Sequence, residues 1–174
     1  GIVAKGSEGT DYTAGGVTHN IIYNCDIALR IKGVDDVVVV NNTVYAPHAL
    51  ILTANVGGDE STGVVLKNNI FAGTGGALLQ IGTETDLSTL STTDYATNCL
   101  YGYPPSDYVK YRGVNYTYAE WAALGYANGS INADPLFTNV ATGDLTLRSG
   151  SPCANAGTNL GTAFDDALAP SSVW

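Results

Sequence analysis

Val37-Val38-Val39-Val40-Asn41-Asn42-Thr43-Val44-Tyr45 reads as a β-branched strand, a polar corner and a second short strand. The phrase returns as Val64-Val65-Leu66-Lys67-Asn68-Asn69-Ile70-Phe71. A weaker copy lies upstream, Gly16-Val17-Thr18-His19-Asn20-Ile21-Ile22-Tyr23, and a degenerate one downstream, Tyr95-Ala96-Thr97-Asn98-Cys99-Leu100-Tyr101. Aligned on Asn20, Asn42, Asn68 and Asn98, the copies are spaced by 22, 26 and 30 residues. A supersecondary unit returning at such a period is the signature of a solenoid.

Three residues before each anchor stand Val17, Val39, Val65 and Tyr95, and two after it Ile22, Val44, Ile70 and Leu100. A third apolar segment follows the first three corners: Ala28-Leu29-Arg30-Ile31, Ala49-Leu50-Ile51-Leu52 and Ala77-Leu78-Leu79-Gln80-Ile81. Each unit therefore holds three short strands with one apolar face. The paired turn signals of β-hairpins are missing, so coiling is the economical solution. Rungs stacked at about 4.8 Å make three parallel sheets around an apolar interior. The predicted fold is all-β, a right-handed parallel β-helix, by the usual crossover preference. Asn20, Asn42, Asn68 and Asn98 then form a structural ladder, each amide bonding along the axis and satisfying backbone groups at the bend. Gln80 falls where Ile31 and Leu52 point inward, and a one-residue slip that turns Leu79 and Ile81 inward repairs the row.

At 174 residues the chain reads as one domain: rungs over about 15–101, an inserted flap at 102–130, a closing rung at 131–157 and a tail at 158–174. The flap is rich in tyrosine and carries one predicted short helix. There, Thr117 and Glu120 form a capping box and Gly125 a stop. Charged residues are only 13% and the net charge is −9 with 7 Lys and Arg, which excludes nucleic acid as a partner. No stretch reaches the ~20 apolar residues of a membrane span. Met is absent and no signal peptide is visible, so the chain reads as a processed protein or a piece of a longer one. Cys25, Cys99 and Cys153 have no metal-ligand spacing and are expected to be buried free thiols.

The rungs at Asn41-Asn42-Thr43-Val44-Tyr45 and Asn68-Asn69-Ile70-Phe71 resemble those of secreted bacterial proteins of the pectate-lyase-like β-helix group. The closing series Asp134-Pro135-Leu136-Phe137, Gly143-Asp144-Leu145 and Ser151-Pro152 followed by Gly157 resembles the end of "choice-of-anchor Q" surface proteins within it. The likeness spans roughly residues 15 to 160 and fits the C-terminal portion of such proteins. It implies a secreted or cell-surface location and an extracellular polysaccharide or glycan as partner. It transfers no catalytic residues, since the acidic calcium cluster of pectate lyases has no counterpart here.

Arg30 and Lys32 alternate with inward Leu29 and Ile31 and are expected to share a solvent face. One could serve as base and the other neutralise a uronate carboxylate, although solubilising charges look the same in sequence. His48, before Ala49 of the next rung, is the third catalytic candidate, expected near Arg30. If the protein is an enzyme, polysaccharide lyase or glycoside hydrolase chemistry is implied. Tyr23, Tyr45, Phe71 and Tyr101 are expected to point outward as a carbohydrate-binding row, or to stack between rungs. The pairs Asp35-Asp36, Asp59-Glu60, Glu84 with Asp86, and Asp165-Asp166 lie in turns or the tail, where Asp commonly serves turn chemistry. No metal site or cofactor is expected, and any calcium would draw on Asp59/Glu60 or Glu84/Asp86. The alternative to a glycan partner is a non-catalytic structural or adhesive solenoid that self-associates through uncapped ends.

Overall fold

The computed structural model describes residues 2–5, 15–53, 61–82, 94–102, 108–161 and 164. The chain enters with β1 (Ile2–Lys5) and then winds through three-stranded rungs. The first is β2 (Gly16–Thr18), β3 (Ile21–Tyr23) and β4 (Ile27–Lys32); the second is β5 (Val38–Val40), β6 (Thr43–Tyr45) and β7 (His48–Thr53). The third is β8 (Val65–Lys67), β9 (Ile70–Ala72) and β10 (Leu79–Ile81). The fourth is β11 (Tyr95–Ala96), β12 (Cys99–Tyr101) and β13 (Val109–Tyr111). Strands of equal rank pair in parallel, giving sheets of order β2-β5-β8-β11, β3-β6-β9-β12 and β1-β4-β7-β10-β13. This is a parallel β-helix. Among the described residues, no helix is long and apolar enough to cross a membrane.

The pleat sends alternate side chains inward, and the register shows which ones. One inward column is Val17, Val39, Leu66 and Tyr95; the next is Ile22, Val44, Phe71 and Leu100. In the third sheet Leu29, Leu50 and Leu79 stack, as do Ile31, Leu52 and Ile81, so the slip expected at Gln80 is present. All but Val17 in these columns are buried, Val17 and the rest packing into one continuous core.

The asparagine ladder is real but uses a different residue in the third rung. Asn20 Nδ2 donates to Asn42 Oδ1 at 3.0 Å, Asn42 Nδ2 to Asn69 Oδ1 at 2.9 Å, and Asn69 Nδ2 to Asn98 Oδ1 at 3.0 Å. The same oxygens accept the backbone N–H of Asn20, Asn42 and Asn69. Asn68, expected in the ladder, stands one place earlier, where the corner needs a left-handed residue. His19, Asn41, Asn68 and Thr97 all have φ between 55 and 58°. Asn tolerates that conformation better than most side chains, which is why Asn-Asn suits the corner.

Beyond β13 the chain closes the end of the stack. β14 (Val114–Tyr116) turns back antiparallel on β13, and α1 (Tyr118–Ala123) follows, with the Thr117–Glu120 capping box in place. Trp121 is fully buried against the core; it stacks on Tyr126 (4.8 Å between centroids) and meets Tyr95 edge-on (6.1 Å). A partial fifth rung bridges Asn128 to Ala96 and Ile131 to Cys99, and Ser130 Oγ accepts from Asn98 N at 3.1 Å, terminating the ladder. Residues 108–131, expected mostly as a flap, cap this end of the stack.

The segment expected as a closing rung instead forms an antiparallel hairpin, β15 (Phe137–Asn139) and β16 (Asp144–Leu147), joined by a 3-10 turn at Val140–Thr142. Phe137 and Leu145 bury against Ile70, Ala72 and Cys99 in a second, smaller core. Cys99 and Cys153 are not free thiols. They form a disulfide that pins the chain after the hairpin to the fourth rung; Cys25 is free.

Candidate functional site

The longest sheet, six strands once β14 is added, presents a chemically biased outer face. Four of the chain's seven basic residues, Lys5, Arg30, Lys32 and Lys110, lie in its strands. A fifth, Arg112, sits in the turn between its last two strands, its guanidinium 5.3 Å above the Tyr111 ring. None of the six strands contains an Asp or Glu. In a chain of net charge −9 this is strong segregation.

Register places these groups. Arg30 lies beside Ile51, Ile51 beside Gln80, and Gln80 beside Lys110, one outward column over four strands. At about 4.8 Å per strand, Arg30 and Lys110 stand roughly 14 Å apart. Lys32 shares the face two residues along β4, with Thr53 beside it. Arg30 and Lys32 are half-buried and Lys110 is exposed. The two remaining cations are engaged elsewhere: Lys67 pairs with Asp94 at 3.3 Å, and Arg148 Nε donates to Leu136 O. Among the described residues Arg30, Lys32 and Lys110 have no ion pair. The face can therefore receive several anionic groups, with the half-buried Gln80 amide between Arg30 and Lys110; Ile51, in the same column, is buried.

His48 does not belong to this cluster. It pairs with Ile27 at the start of the strand, and its Nδ1 lies 3.3 Å from Ala77 O. Arg30 faces Ile51 instead, because three residues along a strand separate the two. Lys110 is hidden from sequence reading inside the supposed flap; the Val109-Lys110-Tyr111 alternation is its only signal.

The aromatic row is also redistributed. Since Asn69 is the ladder residue, every later position in that rung moves by one: Phe71 points inward and is buried, and Ala72 takes the outward place between Tyr45 and Tyr101. Tyr45 is covered by the C-terminal hairpin, edge-on to Phe137 at 6.4 Å. Tyr23 is 46% exposed, and its ring lies so close to Gly143 that a Cβ there would collide with it. Tyr23 and Tyr45 share a groove of about 600 Å³ with Asn24, Asp26 and Thr74, while Tyr101 is apart from it. A second groove, about 420 Å³, runs beside the left-handed corner column under residues 155–160. The chain itself occupies much of that rail: Asn68 donates to Thr158 O (2.7 Å) and accepts from Thr158 N (3.0 Å).

Among carboxylates, Asp35 accepts from Thr62 N and Oγ1, which is turn chemistry. Asp59/Glu60, Glu84/Asp86 and Asp165/Asp166 lie outside the described residues. Among the described residues no three His, Cys, Asp or Glu side chains gather to hold a metal ion. The shifted groups belong to the cap and turns. Burial pushes the Tyr95, Tyr108 and Tyr118 hydroxyls up, and hydrogen bonds from Thr117 and Thr146 hold Glu120 and Asp144 below the usual carboxylate range.

Comparison with protein-family models, with curated proteins and with solved structures returns no match. The functional reading therefore rests on the geometry of the basic face.

Proposed function

We propose that the protein binds an acidic polysaccharide, a polyuronate or sulfated glycan, along the outer face of its six-stranded sheet. The observation that carries the reading is the group Arg30, Lys32 and Lys110, without an ion pair among the described residues, on a sheet whose strands hold no carboxylate. A chain of repeating anions matches a strip on which Arg30 and Lys110 stand roughly 14 Å apart, with Lys32 two residues along from Arg30. The acidic remainder of the surface repels polyanions and confines them to this strip.

Two further features support an extracellular glycan. The Cys99–Cys153 disulfide suits an oxidising compartment, hence a secreted or surface location. The resemblance of the rungs and closing series to pectate-lyase-like, choice-of-anchor Q proteins points the same way. Binding is preferred to cleavage because His48 stands off the face, leaving Arg30 or Lys32 as the base of any β-elimination. End-to-end association is the weaker reading, since the cap of 108–131 covers the C-terminal end of the stack.

A panel of polygalacturonate, sulfated and neutral glycans tests this by calorimetry at two salt concentrations. Anionic members should bind, more weakly at high salt; binding confined to neutral glycans, or none, would overturn it. Release of unsaturated uronate products, read by ultraviolet absorbance, would add lyase activity to binding.

A further inference from the structure

The partial fifth rung carries the chain's one Asn-Gly sequence, Asn128-Gly129, and the cap depends on it. Asn128 O accepts from Thr97 N at 2.8 Å, and Ser130, two residues on, supplies the Oγ that terminates the asparagine ladder on Asn98 N. Gly129 continues the left-handed corner column (φ 63°), placed against Thr97 of the preceding rung. Asn128 and Gly129 are both exposed. The neighbouring amides are engaged, Thr97 N with Asn128 O and Ser130 N with Ala127 O, whereas Gly129 N makes no hydrogen bond among the described residues.

We infer that Asn128 is a self-modifying site at which the amide is converted to aspartate and isoaspartate. The Gly129 nitrogen attacks Cγ of Asn128, a new N–C bond forms, and the side-chain nitrogen leaves as ammonia, taking the Gly129 amide proton. Water then opens the five-membered imide at either carbonyl. One opening leaves an ordinary aspartate in place of Asn128; the other routes the main chain through the β-carbon and gives the isoaspartyl link. The step needs water alone. Three features present on this corner favour it: a following residue with no Cβ to hinder attack, an unengaged nucleophilic N–H, and a solvent-exposed amide.

The consequence is local. An isoaspartyl link adds one carbon to the backbone between Asn128 and Gly129. Ser130 Oγ then no longer meets Asn98 N, and the ladder loses its stop at the edge of the cap. Conversion to plain aspartate adds a charge but leaves that spacing intact, so the two products separate charge from register.

The test ages the folded full chain at mildly alkaline pH and maps peptides by mass spectrometry, with isoaspartyl methyltransferase labelling of the 126–131 peptide. The unfolded chain runs in parallel. Amide loss confined to Asn128 in the folded protein, with methyl labelling and a lowered Tm of the labelled fraction, is the expected result. Asn128→Gln should abolish it with the fold retained, and Asn128→Asp should keep the parent Tm closely. An amide that survives in the folded chain while the unfolded chain converts would overturn the inference. So would loss spread equally to Asn139, Asn155 and Asn159.

Discussion

Asn69 and Asn98 meet twice: Asn98 Oδ1 accepts both the side-chain amide and the backbone N–H of Asn69, each at 3.0 Å. Asn69 in turn serves Asn42 in the same way and donates to Val39 O. Asn69→Ala should leave buried backbone groups of Asn42 and Val39 unsatisfied and cost roughly 2–4 kcal/mol. Asn68→Gly, which keeps the left-handed corner but loses the hydrogen bonds with Thr97 and Thr158, should cost only about 1 kcal/mol. Urea denaturation of the two variants distinguishes them; equal losses would contradict the ladder as drawn.

The disulfide joins positions 54 residues apart and lies beside the second core. By loop-closure entropy its removal should cost about 4 kcal/mol. Cys99→Ser with Cys153→Ser, followed by denaturation with and without reductant, measures this; reductant should destabilise the parent alone.

Trp121 fills the end of the core together with Tyr95 and Tyr126. Trp121→Ala should cost about 3–5 kcal/mol and expose the last rung. Differential scanning calorimetry reads the loss, and light scattering should show association that the parent lacks. A neutral outcome would mean that the cap stabilises little.

Glu120 accepts from Thr117 N and Oγ1, and these hydrogen bonds hold its carboxyl below the ordinary value of 4.5. A depressed carboxyl contributes stability that is present above its unfolded value and is lost as pH falls through the folded one. The capping box should therefore hold above pH 4.5 and loosen only in more acidic solution. Trp121 fluorescence followed through an acid titration checks this, and Glu120→Gln should remove that step. The tyrosines work in the opposite sense. Burial raises Tyr95 above 10.0, so its contribution is complete below pH 10 and lost as pH rises further. Alkaline unfolding should accompany its ionisation in a spectrophotometric titration.

Much of the architecture is legible in the sequence because the interior is periodic. Val17, Val39 and Tyr95, or Leu29 and Leu50, announce their columns through spacing alone. The third rung misleads because Asn68-Asn69 offers two amides to one corner. One side chain must bond along the axis and the other accept a left-handed backbone, and the sequence does not say which. That single ambiguity displaces Val65 for Leu66, Ile70 for Phe71 and the outward place of Phe71 for Ala72. Pairing of Cys99 with Cys153 has no local signal, since spacing does not specify connectivity. The cap is obscured for another reason. A tyrosine-rich insertion reads as an exposed loop until the open end of a solenoid gives Trp121 and Tyr126 something to cover. Lys110 is concealed with it, and so only two of the three basic residues, Arg30 and Lys32, are visible in sequence.

The most direct test of the account is binding of polygalacturonate or a sulfated glycan by the parent and by Arg30→Glu with Lys110→Glu, compared by calorimetry at low salt. Both substitutions lie on outward positions of the sheet and should leave its thermal unfolding unchanged. Reversal of the two charges should weaken binding by about tenfold or more, about 1.4 kcal/mol at least. Unaltered affinity in the reversed variant would contradict it and place the ligand elsewhere.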